Sequence, residues 1–206
     1  MVFTPGSEER YKKPSQSRSI VTVANILDAA HDIVAESGIQ GFNTNAVALR
    51  AGINIGTVYH YFPDKVAILV QLLLGDQRSR TAALRDKLNQ LPTAANLTVW
   101  SHQLMALVRL YRFDNPTSVL LRRAFRSVPE LVVMDNLDND RVTAFIADLL
   151  RQRFPLIDEE RSHSASRLLV DATTAIMESS FADGPNSTAF FGEAQTLIDG
   201  YLESLH

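Results

Sequence analysis

The short helices predicted between residues 19 and 66 constrain this chain most strongly. Apolar residues recur at three- and four-residue spacing from Ile20 to Val34, which is typical of the buried face of a helix. Ser37-Gly38 ends this pattern, because glycine just past a helix readily adopts the left-handed backbone conformation that other residues resist. The sequence therefore predicts a first helix that stops close to Gly38.

Two further short helices are predicted directly after this break. Asn43 or Thr44 is suited to begin the first of them, because its side-chain oxygen can accept a hydrogen bond from a first-turn N–H group, and this helix ends by Gly52. Asn54 is suited to cap the next helix, over residues 55–61. Three such helices with a short glycine-containing turn are the geometry of a helix-turn-helix. The second helix of the pair that flanks the turn enters the major groove of DNA. Residues 55–61 are therefore predicted to be a recognition helix, with Val58 and Phe62 facing the core.

The rest of the chain also shows a helical pattern. Pro63 marks a boundary, and Asp64 is suited to cap a long helix that begins near Lys65. No segment shows the alternation of apolar and polar residues that indicates a strand. We therefore predict an all-α fold class, with a helix-turn-helix DNA-binding domain over residues 19–66 and a helical domain over residues 67–206.

Residues 1–18 differ in composition from the rest of the chain. They combine proline, glycine, serine and glutamine with few large apolar side chains, so we expect a flexible arm. Within it, the stretch from Arg10 to Arg18 holds four bases and no acid. Two interpretations remain open: a solvated tail, or an arm that contacts DNA phosphates or the minor groove.

Composition excludes several classes of function. The 206 residues include no cysteine, which excludes a thiolate zinc site and a cysteine nucleophile. No Gly-rich phosphate loop, nucleophile elbow or HExxH motif is present, and we predict neither an enzyme nor a metal or other cofactor. We interpret Asp135, Asp138 and Asp140 as a solvated helix end or loop, because the turn glycine and terminal acid of a calcium loop are missing. Residues 1–18 lack the apolar stretch of an export signal, and no apolar run in the chain is long enough for a membrane span, so we expect a cytoplasmic protein with no membrane partner.

The charge balance restricts how such a chain could bind DNA. With 20 Lys+Arg against 23 Asp+Glu, its formal net charge is −3. Affinity for phosphates must therefore depend on where the bases lie rather than on the total charge.

Several motifs at fixed spacing point to a family. They are Gly38-Ile39-Gln40-Gly41-Phe42, Val47-Ala48, Ala51-Gly52-Ile53, Gly56-Thr57-Val58-Tyr59-His60-Tyr61-Phe62 and Lys65. In these motifs, residues 19–66 resemble the DNA-binding domain of the TetR family of one-component bacterial regulators. The resemblance implies a transcriptional repressor that binds a palindromic operator as a homodimer and is released by a small-molecule effector. The alternative is a ligand-independent DNA-binding protein of the same fold, with an architectural or partner-regulated role.

The resemblance also implies a set of DNA contacts. Tyr59 and Tyr61 would hold phosphates through their hydroxyls, and Lys65 would add charge to a helix N-terminus that already favours an anion. Ile55 is apolar and can meet a thymine methyl, and Gly56 lets the backbone approach the bases closely. The alternative for the hydroxyl residues is that they only cap helices and pack. The full predicted set is Thr44, Asn45, Ile55, Gly56, Thr57, Tyr59, His60, Tyr61 and Lys65.

In the C-terminal domain, the resemblance implies an effector cavity and a dimer interface. The candidate ligand-binding residues are Trp100, Leu104, Leu107, Tyr111, Arg122 and Phe125, of which the arginine would favour an acidic effector. The last two helices, predicted over residues 162–181 and 188–205, would form a four-helix bundle with their symmetry mates. The candidate interface residues are Ala172, Ile176, Phe190, Ala194, Leu197 and Tyr201.

Overall fold

A computed structural model describes residues 11–15, 17–90, 97–109, 121, 124–154, 156–179 and 187–205. The helices in these ranges are α1 (Ser17–Gly41), α2 (Thr44–Arg50), α3 (Ile55–Tyr61), α4 (Lys65–Asn89), α5 (Leu97–Arg109), α6 (Pro129–Arg153), α7 (Glu159–Ser179) and α8 (Ser187–Glu203). The described residues contain no strand, and the predicted all-α fold class is confirmed. Within the same ranges, no helix has the length and apolar character needed to cross a membrane.

Two glycines set the breaks around α2. Gly38 has φ 63° and ψ −167°, a backbone region that is essentially restricted to glycine, so α1 is kinked there before its last turn ends at Gly41. Gly52 has φ 66° in the turn between α2 and α3. A side chain at either position would strain the backbone. The break at Gly38 and the turn at Gly52 therefore occur where the sequence predicts them.

Asparagine and aspartate side chains cap α2, α3 and α4, as the sequence predicts. In each case the side-chain oxygen accepts a hydrogen bond from a first-turn N–H group, which has no partner within its own helix. The bonds run from Ala46 N to Asn43 Oδ1 (2.9 Å), from Gly56 N to Asn54 Oδ1 (2.7 Å) and from Ala67 N to Asp64 Oδ1 (2.8 Å). Each cap fixes where its helix begins. The cap at Asn54 therefore fixes which residues of α3 face the core.

The chain divides into two compact units. The first contains the described residues up to Arg78 and those within 116–135, and the second contains those within 79–115 and 136–206. The first unit extends beyond residue 66 because side chains from the beginning of α4 belong to the same core as Val58 and Phe62; they include Ile68, Leu69 and Leu73. The second unit has its own core, which includes Trp100, Ile146, Leu150, Leu169 and Leu202. The functional boundary at residue 66 stays a prediction.

The interpretation of Asp135, Asp138 and Asp140 as a helix end or loop is wrong, because all three lie in the interior of α6. The side chain of Asp138 is only 9% exposed and accepts a hydrogen bond from Arg80 Nη2 at 2.9 Å. Asp140 is exposed and pairs with Arg167 at 2.7 Å. The partner that allows Asp138 to be buried lies 58 residues away, so no local pattern indicates the burial.

The last two helices begin slightly earlier than predicted. Asp158 Oδ1 accepts a hydrogen bond from the backbone N–H of Arg161 at 2.7 Å and so marks the start of α7. Within the second unit, α8 packs against both α5 and α7.

Candidate nucleic-acid interface

Helix α3 divides its residues between a buried and an exposed face. Val58 and the following cap residue Phe62 are fully buried in one core with Val47 and Ala48 of α2, which confirms the predicted core face. The backbone is held at its start by Asn54, so the opposite face has a fixed orientation. The predicted DNA-binding residues Gly56, Tyr59 and His60 are exposed, and Thr57 is half-buried.

Two predicted DNA-binding residues of α3 are less exposed than expected. Ile55 and Tyr61 are half-buried and pack against the core of the first unit. A core face made of Val58 and Phe62 alone would leave both of these residues facing outward, and for them that expectation is wrong. Ile55 lies three residues before Val58 on the same side of the helix, and Tyr61 directly precedes Phe62, so both side chains can reach the core. Their contacts with DNA stay predictions.

Thr44 and Tyr59 connect the start of α2 to the exposed face of α3. Their hydroxyl oxygens lie 3.0 Å apart and share a hydrogen bond. Thr44 is buried, Tyr59 is 52% exposed, and the neighbouring Asn45 is exposed. Because Asn43 caps α2, the alternative in which Thr44 only caps that helix is wrong. A hydroxyl both donates and accepts, so a pair joined by one bond keeps a second donor for an anion.

The basic residues of this unit differ in how their charges are compensated. Arg50 donates two hydrogen bonds to Glu36, at 2.7 and 2.6 Å. These bonds lower the pKa of Glu36 and raise that of Arg50. The carboxylate therefore offsets the charge of Arg50. Lys65, the first residue of α4, is exposed.

Part of the predicted flexible arm is held against α3. The ring of Tyr11 stacks on that of Phe62, with centroids 5.4 Å apart and planes 15° from parallel. The backbone N–H of Lys12 donates to the carbonyl of Tyr61 at 2.9 Å. These contacts place Tyr11 and Lys12 against the end of α3; residues 1–10 and 16 lie outside the described part, and the flexibility of the arm stays a prediction. The missed signal is Tyr11, a large ring in an otherwise polar stretch.

The structure describes only some of the candidate effector residues. Trp100 is buried in the core of the second unit, whereas Phe125 is buried in that of the first. The side chains of Leu104 and Leu107, and the whole of Tyr111 and Arg122, lie outside the described part. The effector site stays a prediction.

The candidate interface residues on α7 and α8 range from buried to largely exposed. Ile176 and Ala194 are buried within the single chain, so most of their surface is already covered. Ala172, Phe190 and Tyr201 are half-buried, whereas the side chain of Leu197 is 67% exposed. Leu168 on α7 is also exposed and was missed by the sequence analysis. Leu197 and Leu168 are large apolar residues of α7 and α8 that remain exposed, so we take them as candidates for the predicted interface.

Comparison with known proteins extends the likeness beyond the helix-turn-helix. Residues 26–72 match the family of bacterial regulatory proteins described as the tetR family, and residues 102–202 match a tetracyclin repressor-like C-terminal domain. The transcriptional regulator UidR of Escherichia coli strain K12 is 25% identical over 195 residues, which cover 91% of this chain and 96% of UidR. The transcriptional repressor KstR of Mycobacterium tuberculosis is 44% identical over 62 residues, covering 30% of this chain and 28% of KstR.

A solved structure shows the same fold over most of the chain. A TetR-family transcriptional regulator from Pectobacterium atrosepticum superposes with a TM-score of 0.71 at 14% identity, covering 93% of this chain and 97% of that one. The helix-turn-helix, the helical second unit and these matches together define a DNA-binding transcriptional regulator, not an enzyme. The chain belongs to the TetR family of bacterial regulatory proteins.

Proposed function

We propose that this regulator is a repressor that binds a palindromic operator as a homodimer and is released by a small-molecule effector. In this proposal, residues 19–66 bind DNA, and residues 67–206 bind the effector and form the dimer. The observation that carries the proposal is the exposed face of α3. The opposite face of this helix is fully buried in the core, and Asn54 caps its first turn. A recognition helix must be held rigidly to read bases, because a loose helix would lose binding free energy on being ordered.

The contacts of this face with DNA would be of two kinds: contacts with phosphates, which position the protein, and contacts with base edges, which specify the sequence. Gly56 and Thr57, in the first turn of α3, would meet base edges, since the N-terminal residues of a recognition helix point into the major groove. Tyr59, with Thr44 beside it, would hold a phosphate, and Lys65 would hold another. His60 is exposed near the end of the helix and would contact the backbone or a base edge. Asn45, exposed at the start of α2, would lie near the groove.

Exposed leucines on α7 and α8 support the homodimer. Leu168 and Leu197 leave apolar surface uncovered in the single chain, and a two-fold axis would place each helix pair against its mate. A dimer also explains the palindrome, because two recognition helices related by a two-fold axis read two inverted half-sites.

Release by an effector is supported by the match of residues 102–202 to a tetracyclin repressor-like C-terminal domain. An effector that prefers a conformation unsuited to DNA must lower DNA affinity, and DNA must lower effector affinity by the same factor. The ligand-independent alternative predicts instead that no small molecule changes operator binding.

The experiment begins by finding the operator. Genomic fragments retained by the purified protein are sequenced, and the recovered site is footprinted. We expect two inverted half-sites, with centres about 34–36 Å apart along the DNA or a multiple of that distance. Retention of fragments with no shared sequence would contradict the proposal. Thr57→Val should then change which operator variants are preferred, whereas Thr196→Val, on an exposed face of α8, should not.

Metabolite mixtures are then titrated into the complex of protein and operator. Release of the operator by one fraction supports an effector. Unchanged operator binding with every fraction would favour the ligand-independent alternative.

A further inference from the structure

Tyr11 and Lys12 lie against the C-terminal end of α3. Three contacts hold them there: the stack of Tyr11 on Phe62, the backbone bond from Lys12 to Tyr61, and an approach of 3.3 Å between Lys12 Nζ and His60 Nε2. An ammonium group only donates, so His60 Nε2 is the acceptor in the last contact. Because His60 belongs to the exposed face of α3, the charge of Lys12 lies beside the residues predicted to meet DNA.

The position of Lys12 is favourable for a cation. The last carbonyl groups of a helix lack partners within the helix and carry partial negative charge. The N–H of Lys12 satisfies the carbonyl of Tyr61, and its ammonium adds positive charge at the same helix end. Lys13 is exposed directly after it. Lys12 is therefore placed at a helix end that favours positive charge, and Lys13 follows it directly in the chain.

We propose that Tyr11 is a positioning residue that holds Lys12 and Lys13 at the end of the recognition helix, where they bind phosphates that flank the bases read by α3. The inference rests on the proposed function, because it needs α3 to enter the major groove. A lysine on a free tail must be ordered when DNA binds, whereas a lysine held by the stack is ordered when the protein folds. Tyr11 thus strengthens phosphate binding without contacting DNA.

The position of Lys12 and Lys13 also matters because another base of the first unit, Arg50, has its charge offset by an acid. Arg50 is paired with Glu36, so it contributes little net charge to the DNA-binding surface. The exposed lysines at positions 12, 13 and 65 are better placed for phosphates. A chain with a formal net charge of −3 can bind DNA only if such cations are concentrated at the contact surface.

The test measures how operator affinity depends on salt. Full-length wild type, Lys12→Ala, Tyr11→Ala and Tyr11→Phe are titrated over a range of KCl against two duplexes, the recovered operator and a scrambled sequence of the same length. Loss of one phosphate contact reduces the magnitude of the negative slope of log K against log salt by about 0.9 per protomer bound. We expect this loss in Lys12→Ala on both duplexes, and a loss of at least this size in Tyr11→Ala, since it releases Lys13 as well. Tyr11→Phe keeps the ring and should bind like wild type.

A double-mutant cycle separates positioning from simple stability. If Tyr11 acts through Lys12, the loss of affinity in the double variant Tyr11→Ala/Lys12→Ala is smaller than the sum of the two single losses. Lys87→Ala removes an exposed lysine from the second unit and serves as the matched control, with an unchanged slope. Thermal melts establish that each variant is folded, and Lys12→Ala leaves the stack in place.

Different failures have different meanings. If Lys65→Ala reduces the magnitude of the slope but Lys12→Ala and Tyr11→Ala do not, this inference is overturned and the proposed function stands. If none of these variants, Lys65→Ala included, changes the slope, the proposed docking itself is wrong. A loss in Lys12→Ala that appears only on the operator would overturn the assignment to phosphates, because it would show base reading by the arm.

Discussion

The hydroxyl groups of Thr44 and Tyr59 lie 3.0 Å apart, so the first residue of α2 is hydrogen-bonded to the exposed face of α3. This bond ties together the two helices of the helix-turn-helix at the surface that we assign to DNA. It also holds the Tyr59 hydroxyl beside that of Thr44. A phosphate at this position would meet a group that is already oriented, which lowers the entropy lost on binding.

Replacing Tyr59 by Phe removes this hydroxyl and keeps the ring. We expect weaker binding to every DNA sequence by about 1 kcal/mol, the typical net contribution of one hydrogen bond, with sequence preference unchanged. Anisotropy titrations with operator and scrambled duplexes measure both quantities. Thr44→Val should cause a loss that is not additive with that of Tyr59→Phe, because the two hydroxyls share one bond. Selective loss on the operator would contradict a phosphate role.

The exposed Leu197 tests the dimer. Leu197→Arg places a charge in the proposed interface, and we expect a monomer that no longer binds the full operator tightly. Because this side chain is largely exposed in the single chain, protomer stability should change by less than about 0.5 kcal/mol. Light scattering and operator titration measure the outcome. Leu156→Arg, at another exposed leucine, is the matched control and should remain dimeric. A monomeric Leu197→Arg that binds operator like wild type would contradict the mechanism.

Two glycines should respond to alanine with opposite signs. Gly52 has a positive φ that an alanine adopts at a cost of about 1–2 kcal/mol, so Gly52→Ala should lower the free energy of unfolding by that amount. Gly75 lies within α4, and a Cβ there would meet no atom within 4 Å. Gly75→Ala should therefore raise the free energy of unfolding by about 0.5–1 kcal/mol. Urea denaturation of the two variants measures both effects, and equal signs would refute the backbone argument.

The buried ion pair between Arg80 and Asp138 should matter far more than the exposed pair between Arg167 and Asp140. Asp138→Ala removes the carboxylate from a largely buried arginine, and we expect a loss of stability on the order of 3 kcal/mol. Asp140→Ala removes an exposed carboxylate from the same helix, and its effect should stay below about 1 kcal/mol. Denaturant midpoints compare them directly. Equal losses would mean that burial does not control the energetics of these pairs.

Much of the DNA-binding unit could be predicted from the sequence because its determinants are local. Asn43, Asn54 and Asp64 each accept a bond from an N–H group two or three residues away, so the caps are visible in short stretches of sequence. The positive φ at Gly38 and Gly52 is likewise a property of single residues. Helix spacing separates Val58 and Phe62 from the exposed positions of α3. For these reasons the bounds of α3 agree with their prediction.

Tertiary structure alone decided the features whose partners are distant in sequence. Tyr11 stacks on Phe62, and Asp138 is buried beside Arg80, and in both cases the partner is distant in the sequence. Helical periodicity records only which residues share a face of one helix; it carries no information about which side chain of another segment covers that face. A charged residue can be buried when a distant partner of opposite charge pairs with it. A polar segment can be held in place when one of its aromatic rings stacks on a ring of another segment. The sequence by itself therefore determined the helices and the core residues Val58 and Phe62 of α3, whereas packing decided which charges and hydroxyls are held beside its exposed face.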